Sequence, residues 1–381
     1  MNKESAAGLV VFLVAGARPN FMKIAPIYQE SRRHAGVACR LIHTGQHYDY
    51  EMSQAFFQDL ELPEPAVFLK AGSGSHAAQT ARIMIAFEKA CLADLPGLVI
   101  VVGDVNSTLA CSLVAKKLLI RVAHVEAGLR SFDRTMPEEI NRIVTDAVAD
   151  DFFVTEESGL ENLRREGQPE ERIHFVGNVM IDNLFFQLER LRQEREAHFP
   201  SFDLKSRLGS YLFLTLHRPS NVDRTETFQE IAAALNEAAE RFPILFPMHP
   251  RTRKMAKQHG IRLSERVHVL PPLGFRESLY LWKDAEAVLT DSGGLQEETT
   301  ALGVPCVTLR ENTERPVTLS LGTNILAGNR KSSILEALDR ALHADRSRFQ
   351  VPPRWDGQAA RRIWEVLLDE GPKDGRSVGP G

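Results

Sequence analysis

A series of short segments puts acid, base or anion-binding side chains where an apolar run hands over to a helix. Gly16-Ala-Arg18-Pro19-Asn-Phe-Met-Lys23 places Arg18 at the end of one run and Lys23 about a turn further on. Two cations beside the free N–H groups of a helix start make an anion site; the alternative is two solvated loop residues. The segment is not G-x-G-x-x-G, which disfavours a dinucleotide. Asp104, in Gly103-Asp104-Val-Asn-Ser-Thr108, follows a second run and can be a proton-handling carboxylate or a helix cap. In His124-Val-Glu126-Ala-Gly128-Leu-Arg130 a glutamate ends an apolar run, where burying it unpaired would cost several kcal/mol. It is either functional or paired with Arg130. Pro137-Glu138-Glu139-Ile-Asn-Arg142 is ordinary helix-start chemistry, with Glu138 and Arg142 at i and i+4, spaced for a surface ion pair.

The second half carries a parallel set. His217 in Leu216-His217-Arg218-Pro219 and His249 in Met248-His249-Pro250-Arg251 each follow an apolar run. Thr290-Asp291-Ser292-Gly293-Gly294-Leu-Gln-Glu297-Glu298 is the most specific segment. It delivers Ser-Gly-Gly into a helix start, where a phosphate can approach the backbone closely. Glu298 could then accept from ribose hydroxyls; a glycine-softened turn is the bland alternative. Glu314-Arg315-Pro316 adds a further cation.

These segments need strands that end where the chemistry is. Runs at Leu9–Gly16, Val37–His43, Leu98–Gly103, Val122–Val125 and Phe152–Thr155 are short and mostly apolar, as buried parallel strands are. Helical spacing at Phe21–Arg33, Gln79–Ala93 and Leu109–Leu118 alternates with them, which is βαβ order. A second series holds strands at Tyr211–Leu216, Ile244–Met248, Val267–Leu270, Ala287–Thr290 and Pro305–Leu309, with a polar bridging segment, Asp182–Ser206, between the series. The expected architecture is α/β, two doubly wound domains facing a cleft, with ligands at the carboxyl ends of the strands. The domains divide as residues 1–180 and 181–370, with a C-terminal helix that can cross back to the first domain and a Gly/Pro-rich tail at 371–381.

Composition narrows the function. With 46 Lys and Arg against 50 Asp and Glu, the net charge is −4, against a nucleic-acid partner. No apolar run reaches the roughly 18 residues a membrane span needs. Four cysteines, Cys39, Cys91, Cys111 and Cys306, lie far apart without C-x-x-C and read as reduced thiols in a cytoplasmic protein, with no metal site.

In their wording and order, GARPNFMKIAPI, TGQHYD, GDVNST, HVEAGLR, PEEINR, LHRPSN, TDSGGLQEE and TERP closely resemble the non-hydrolysing UDP-N-acetylglucosamine 2-epimerases. The resemblance implies a GT-B fold, a cytoplasmic homodimer, no metal or NAD, and interconversion of UDP-GlcNAc and UDP-ManNAc for surface polysaccharides. It implies elimination of UDP to 2-acetamidoglucal and re-addition. Asp104, Glu126 and Glu138 would be the acid/base carboxylates, Arg142 would orient them, and His217 would meet the pyrophosphate. Arg18, Lys23, His249, Ser292, Gly293, Gly294 and Arg315 would bind the substrate, and Glu298 its ribose. Gln46 and His47 match a segment that binds a second, activating UDP-GlcNAc in some members, but Tyr48 and Asp49 replace the Arg-Glu of those members, which argues against activation. Ser278 stands where many members carry an aromatic near the uracil. Relatives with the same wording include epimerases of UDP-2,3-diacetamido-glucuronic acid, which is the alternative substrate. A GT-B glycosyltransferase, a hydrolysing epimerase and a non-catalytic UDP-sugar sensor are the remaining alternatives.

Overall fold

The apolar runs are strands of two parallel sheets, seen in a computed structural model that describes residues 8–46, 57 and 59–369. In the first unit the strands are β1 Leu9–Ala15, β2 Val37–His43, β3 Val67–Phe68, β4 Leu98–Val102, β5 Arg121–Val125, β6 Asp151–Val154 and β7 Ile173–Phe175. Among the described residues they form a sheet in the order β3-β2-β1-β4-β5-β6-β7, every pairing parallel. The second unit holds β8 Leu212–Thr215, β9 Ile244–Pro247, β10 Val267–Leu270, β11 Ala287–Thr290, β12 Cys306–Thr308 and β13 Asn324–Leu326, in the order β10-β9-β8-β11-β12-β13. Both orders reverse direction once, between β1 and β4 and between β8 and β11, which makes each unit a doubly wound, Rossmann-like α/β fold. The reversal opens a crevice at the carboxyl ends of those strand pairs, where such sheets bind ligands.

Apolar side chains cover both faces of the first sheet, as parallel strands require. Phe12, Val99 and Val101 pack with Phe87 on one face, and Leu13 and Ile100 with Ile24 and Trp364 on the other. Trp364 belongs to the C-terminal helix Ala359–Asp369, which buries Ile363, Trp364 and Leu367. Its indole N–H donates to the Ile27 carbonyl at 2.8 Å. Asp182 caps the same helix, accepting from the amides of Ala359 and Ala360 at 3.1 and 2.7 Å. Burial pushes the Asp182 carboxyl up to about 6, although those amides pull the other way. The compact units are accordingly Met1–Asn183 with Asp356–Gly381, and Leu184–Trp355. The second unit ends at Trp355 rather than near residue 370, because the last helix spends its apolar face on the first core.

Strands β3, β7 and β13 have no counterpart in the sequence reading. They hold two, three and three residues at sheet edges, too few to show a period. All four cysteines are free thiols, and burial pushes Cys39, Cys91 and Cys306 up to about 12, which leaves them poor nucleophiles. No helix among the described residues is long and apolar enough to cross a membrane.

Candidate active site

Three loops of the first unit converge beside its topological switch point. The loop after β1 runs straight into the helix Arg18–Ser31, and Asn20 ties that helix start down. Its Oδ1 accepts from the Ala17 amide at 3.0 Å and its Nδ2 donates to the Val102 carbonyl at the end of β4 at 3.1 Å. Gly16 has no room for a side chain, since a Cβ there would lie 2.1 Å from Ser107 Oγ. One turn along, Lys23 Nζ donates to Glu126 Oε2 at 2.5 Å, and both side chains are buried. Gly103, at φ +66, sits against this pair, a Cβ there falling 3.1 Å from Lys23 Nζ. Glu126 itself takes φ +69, a left-handed backbone that a glutamate seldom adopts and that is often found at functional sites.

The fourth contributor is the helix Pro137–Val148. Arg142 Nη1 meets Asp104 Oδ2 at 2.5 Å, and its Nη2 meets Glu139 Oε2 at 2.8 Å. Asn141 Nδ2 donates to the Asp104 carbonyl at 2.8 Å, fixing the loop that carries the carboxylate. Asp104 keeps a third of its side chain exposed. Glu139 does not face a ligand: it accepts from the Ser131 and Phe132 amides at 2.9 Å each. Burial raises its carboxyl, but those amides and Arg142 outweigh that and leave it below the usual range.

Two bland readings are corrected by these contacts. Glu126 pairs with Lys23, not Arg130, which instead lies 2.8 Å from Asp146 and 2.6 Å from Glu166. Arg142 pairs with Asp104 and Glu139, and Glu138 stands exposed in the first turn. Asp104 is not the cap of its helix either: the N-cap position is Val105. Sequence reasoning missed His124, which is fully buried and bridges Asp146 at 2.6 Å and the Gly103 carbonyl at 2.8 Å. A carbonyl only accepts, so His124 Nε2 donates and holds the Asp104 loop from below. Gln46 is buried, its Oε1 accepting from Ser107 Oγ at 2.9 Å. His47 and the side chain of Arg18 lie outside the described residues.

The second unit gathers its residues at the β8–β11 switch point. Thr215 and Thr290, paired in register, share a hydroxyl hydrogen bond of 2.6 Å at the strand ends. His217 follows one strand and Asp291 the other, with His217 Nδ1 at 2.9 Å from Asp291 Oδ1. His249 caps the helix Pro250–Gln258, its Nδ1 accepting from the Arg251 amide at 3.2 Å.

The helix Gly293–Leu302 begins at Ser292, whose side chain makes no cap hydrogen bond. Gly293 and Gly294 are not in the left-handed region, so no turn demands glycine here. A Cβ at Gly293 would meet Arg315 Cζ at 3.9 Å, ordinary contact. A glycine at this helix N-terminus, with Arg315 beside it, leaves room for close approach by an anion. Arg315 Nε is held 2.8 Å from Glu297 Oε1. Ser278 is half-buried on the helix Phe275–Trp282.

Glu298 is buried in the second turn of the helix Gly293–Leu302. Burial and the neighbouring Glu297 carboxylate push its carboxyl up to about 8. An unfolded chain releases that proton near its ordinary value, whereas the folded one keeps it until about pH 8. Stability should therefore fall as pH rises between those values, since the native state binds the extra proton. Glu298→Gln cannot ionise, so its melting temperature relative to the parent protein should climb by several degrees from pH 5 to pH 8.5. A difference that stays flat in thermal melts across that range would show that Glu298 ionises normally in the fold.

Comparison with known proteins bears on both halves. The profile of the family described as UDP-N-acetylglucosamine 2-epimerase matches residues 29–368. A protein of Methanocaldococcus jannaschii named UDP-N-acetylglucosamine 2-epimerase is 41% identical over 361 residues, covering 93% of this chain and 98% of its own. A crystal structure of the epimerase from that organism, in complex with UDP-GlcNAc and UDP, superposes with a TM-score of 0.86 at 39% identity, over 95% of this chain and 100% of that one. The UDP-2,3-diacetamido-2,3-dideoxy-D-glucuronate 2-epimerase of Pseudomonas aeruginosa is 38% identical, over 94% of this chain and 99% of its own. A family profile matching residues 29–368 and a relative 41% identical over 93% of this chain agree, and the chain belongs to the UDP-N-acetylglucosamine 2-epimerase family of isomerases.

Proposed function

We propose that this enzyme interconverts UDP-GlcNAc and UDP-ManNAc by eliminating and re-adding UDP. The observation that carries the proposal is the pairing of carboxylates with cations at the first switch point: Glu126 on Lys23, and Asp104 on Arg142, with Asp104 part exposed. C2 of the sugar is not acidic, because C1 is an acetal carbon. Loss of the C2 proton therefore needs the C1–O bond to break as well. The electrons of the C2–H bond form the C1=C2 bond of 2-acetamidoglucal, and those of C1–O leave with UDP. Return of UDP to C1, with a proton delivered to the opposite face of C2, gives the epimer. Two proton-handling groups are needed, one for each face, and Asp104 and Glu126 supply them. Exposed Glu138, in the first turn of the helix Pro137–Val148, would by family likeness be the third acid/base carboxylate.

The leaving nucleotide needs its charge met. Gly293 and Gly294 at an uncapped helix start, Ser292 and Arg315 provide donors for the diphosphate, and His217 provides another. Glu298 would accept from the ribose hydroxyls, whose donors relieve a carboxyl otherwise buried without charge compensation. His249 is engaged through Nδ1 as a helix cap beside His217. By family likeness the enzyme would act as a cytoplasmic homodimer, supplying precursors of surface polysaccharide.

The likeness to the Pseudomonas aeruginosa enzyme, 38% identical against 41% for the archaeal one, favours a second reading in which the sugar is UDP-2,3-diacetamido-glucuronic acid. Incubating the enzyme in D2O with each nucleotide sugar separately, and following C2 by NMR, tests both. Deuterium at C2 together with both C2 epimers of UDP-GlcNAc is the expected result. Turnover of the diacetamido-uronate alone would transfer the reaction to the second sugar. Turnover of neither would leave a sensor or a transferase.

A further inference from the structure

Asp291 is used by nothing so far except proximity. It is fully buried, and its two oxygens do different things. Oδ2 accepts from the amides of His217 and Arg218 at 2.9 and 2.8 Å and from Asn221 Nδ2 at 3.3 Å, which staples the loop after β8 to the end of β11. Oδ1 takes no part in the staple and lies 2.9 Å from His217 Nδ1. The staple alone would be served by a neutral Asn. A second, buried oxygen 2.9 Å from one ring nitrogen is the part it does not explain.

We propose that Asp291 is a positioning residue for the departing nucleotide: its Oδ1, 2.9 Å from Nδ1, fixes the His217 ring with Nδ1–H inward and Nε2 outward, toward the diphosphate. The proposal rests on the reading that places His217 at the diphosphate. Carboxylate–histidine pairs set the tautomer and orientation of the ring in this way, and the outward N–H then donates in a fixed direction. A charge-assisted donor is worth roughly twice a neutral one. Burial raises the Asp291 carboxyl, but the His217 ring and the two amides overcome that and hold it below the usual range, so it remains a carboxylate at neutral pH.

The charged and titratable groups around His217 are few. Asp291 faces it from β11. His249 stands at the end of β9 with its ring centroid 6.2 Å away, and its Nδ1 is spent as an acceptor for the Arg251 amide. Arg218, on the same loop, turns its Nε to the Asp291 carbonyl at 2.9 Å. Arg310, Glu314 and Arg315 act electrostatically on Arg218. Asp291 is the carboxylate in contact with the ring.

The test is the UDP affinity of the full-length enzyme by calorimetry, at pH 6 and pH 8, for the parent protein, Asp291→Asn, His217→Asn and the double variant. Asp291→Asn keeps an oxygen for the three staple donors and removes the charge at Oδ1. Taking each Kd as a ratio to the parent protein cancels the ionisation of UDP itself. The Asp291→Asn ratio should be about tenfold at both pH values, as the ring is no longer held toward the diphosphate. His217→Asn should weaken UDP at pH 6 and pH 8 alike, and adding Asp291→Asn to it should change little further, since the two residues act as a unit. An Asp291→Asn ratio near one, or one additive with His217→Asn, would make Asp291 a staple only. His217→Asn binding UDP as tightly as the parent would instead remove His217 from the diphosphate, and both readings fall. Should Asp291→Asn fail to fold, the 15N signals of His217 in the UDP-bound parent, assigned by loss in His217→Asn, decide the matter. A protonated Nδ1 is expected, and a bare Nδ1 overturns the proposal.

Discussion

Asp104→Asn and Glu126→Gln should each abolish most C2 exchange, by about 10²–10⁴ in rate, while leaving UDP affinity within a fewfold of the parent. Both substitutions keep size and one hydrogen-bonding oxygen and remove the ability to take a proton. Asp104 meets Arg142 at 2.5 Å and Glu126 meets Lys23 at 2.5 Å, so each amide still has a donor to accept from, and melting curves on the same variants separate any loss of stability at a broken pair from the loss of exchange. The nucleotide contacts proposed for Ser292, Gly293, Gly294 and Glu298 lie on a different unit and are not touched. One of the two variants should also release 2-acetamidoglucal and UDP, because losing the group that serves only one face lets elimination outrun re-addition. The measurements are deuterium at C2, free glucal and UDP binding on the same preparations. Parent-like exchange in both variants would mean that these carboxylates only pair with their cations, and the proton-transfer assignment would be lost.

What the sequence discloses and what it hides follow from distance along the chain. The buried strands were legible because a parallel strand covered on both faces is one continuous apolar run, and Leu9–Ala15 and Leu98–Val102 are almost wholly that. The strand-end location of Asp104, Glu126, His217 and Ser292 followed at once, since each directly follows such a run. Partners were another matter. Counting along a helix offered Glu138 to Arg142, and counting along a loop offered Arg130 to Glu126, but both cations find carboxylates elsewhere. Arg142 reaches Asp104 across 38 residues, and Lys23 reaches Glu126 across 103. Asp291 looked like part of a glycine-rich turn, and its contact with the loop of His217 spans 74 residues through the β8–β11 pairing. The only local sign was a charged residue ending an apolar strand, a signal shared by Asp104, Glu126 and Asp291 that says a partner is required without saying which.

Lys23 is where the two levels of reading disagree most, and its replacement should have the largest effect on the fold. Read from the sequence, Lys23 holds phosphate. In the structure its ammonium is 2.5 Å from Glu126, which is 4% exposed and sits at φ +69 between β5 and its loop. Lys23→Met keeps the length of the stem and removes the charge beside a buried carboxylate. Breaking a buried pair from one side typically destabilises by about 3–5 kcal/mol, because the remaining charge is left in a poor solvent. Adding Glu126→Gln to Lys23→Met removes that charge too, so most of the loss should return even though activity does not. This is the behaviour of a pair, in which the double variant is better than one of its singles. A lysine that serves the diphosphate predicts the opposite: stability near the parent, UDP affinity reduced about tenfold or more, and no rescue by Glu126→Gln. Urea unfolding and UDP binding on the two single variants and the double variant separate the cases. A loss of less than about 1 kcal/mol in Lys23→Met, the scale of an exposed pair, would return Lys23 to the phosphate and leave Glu126 to be held by other groups.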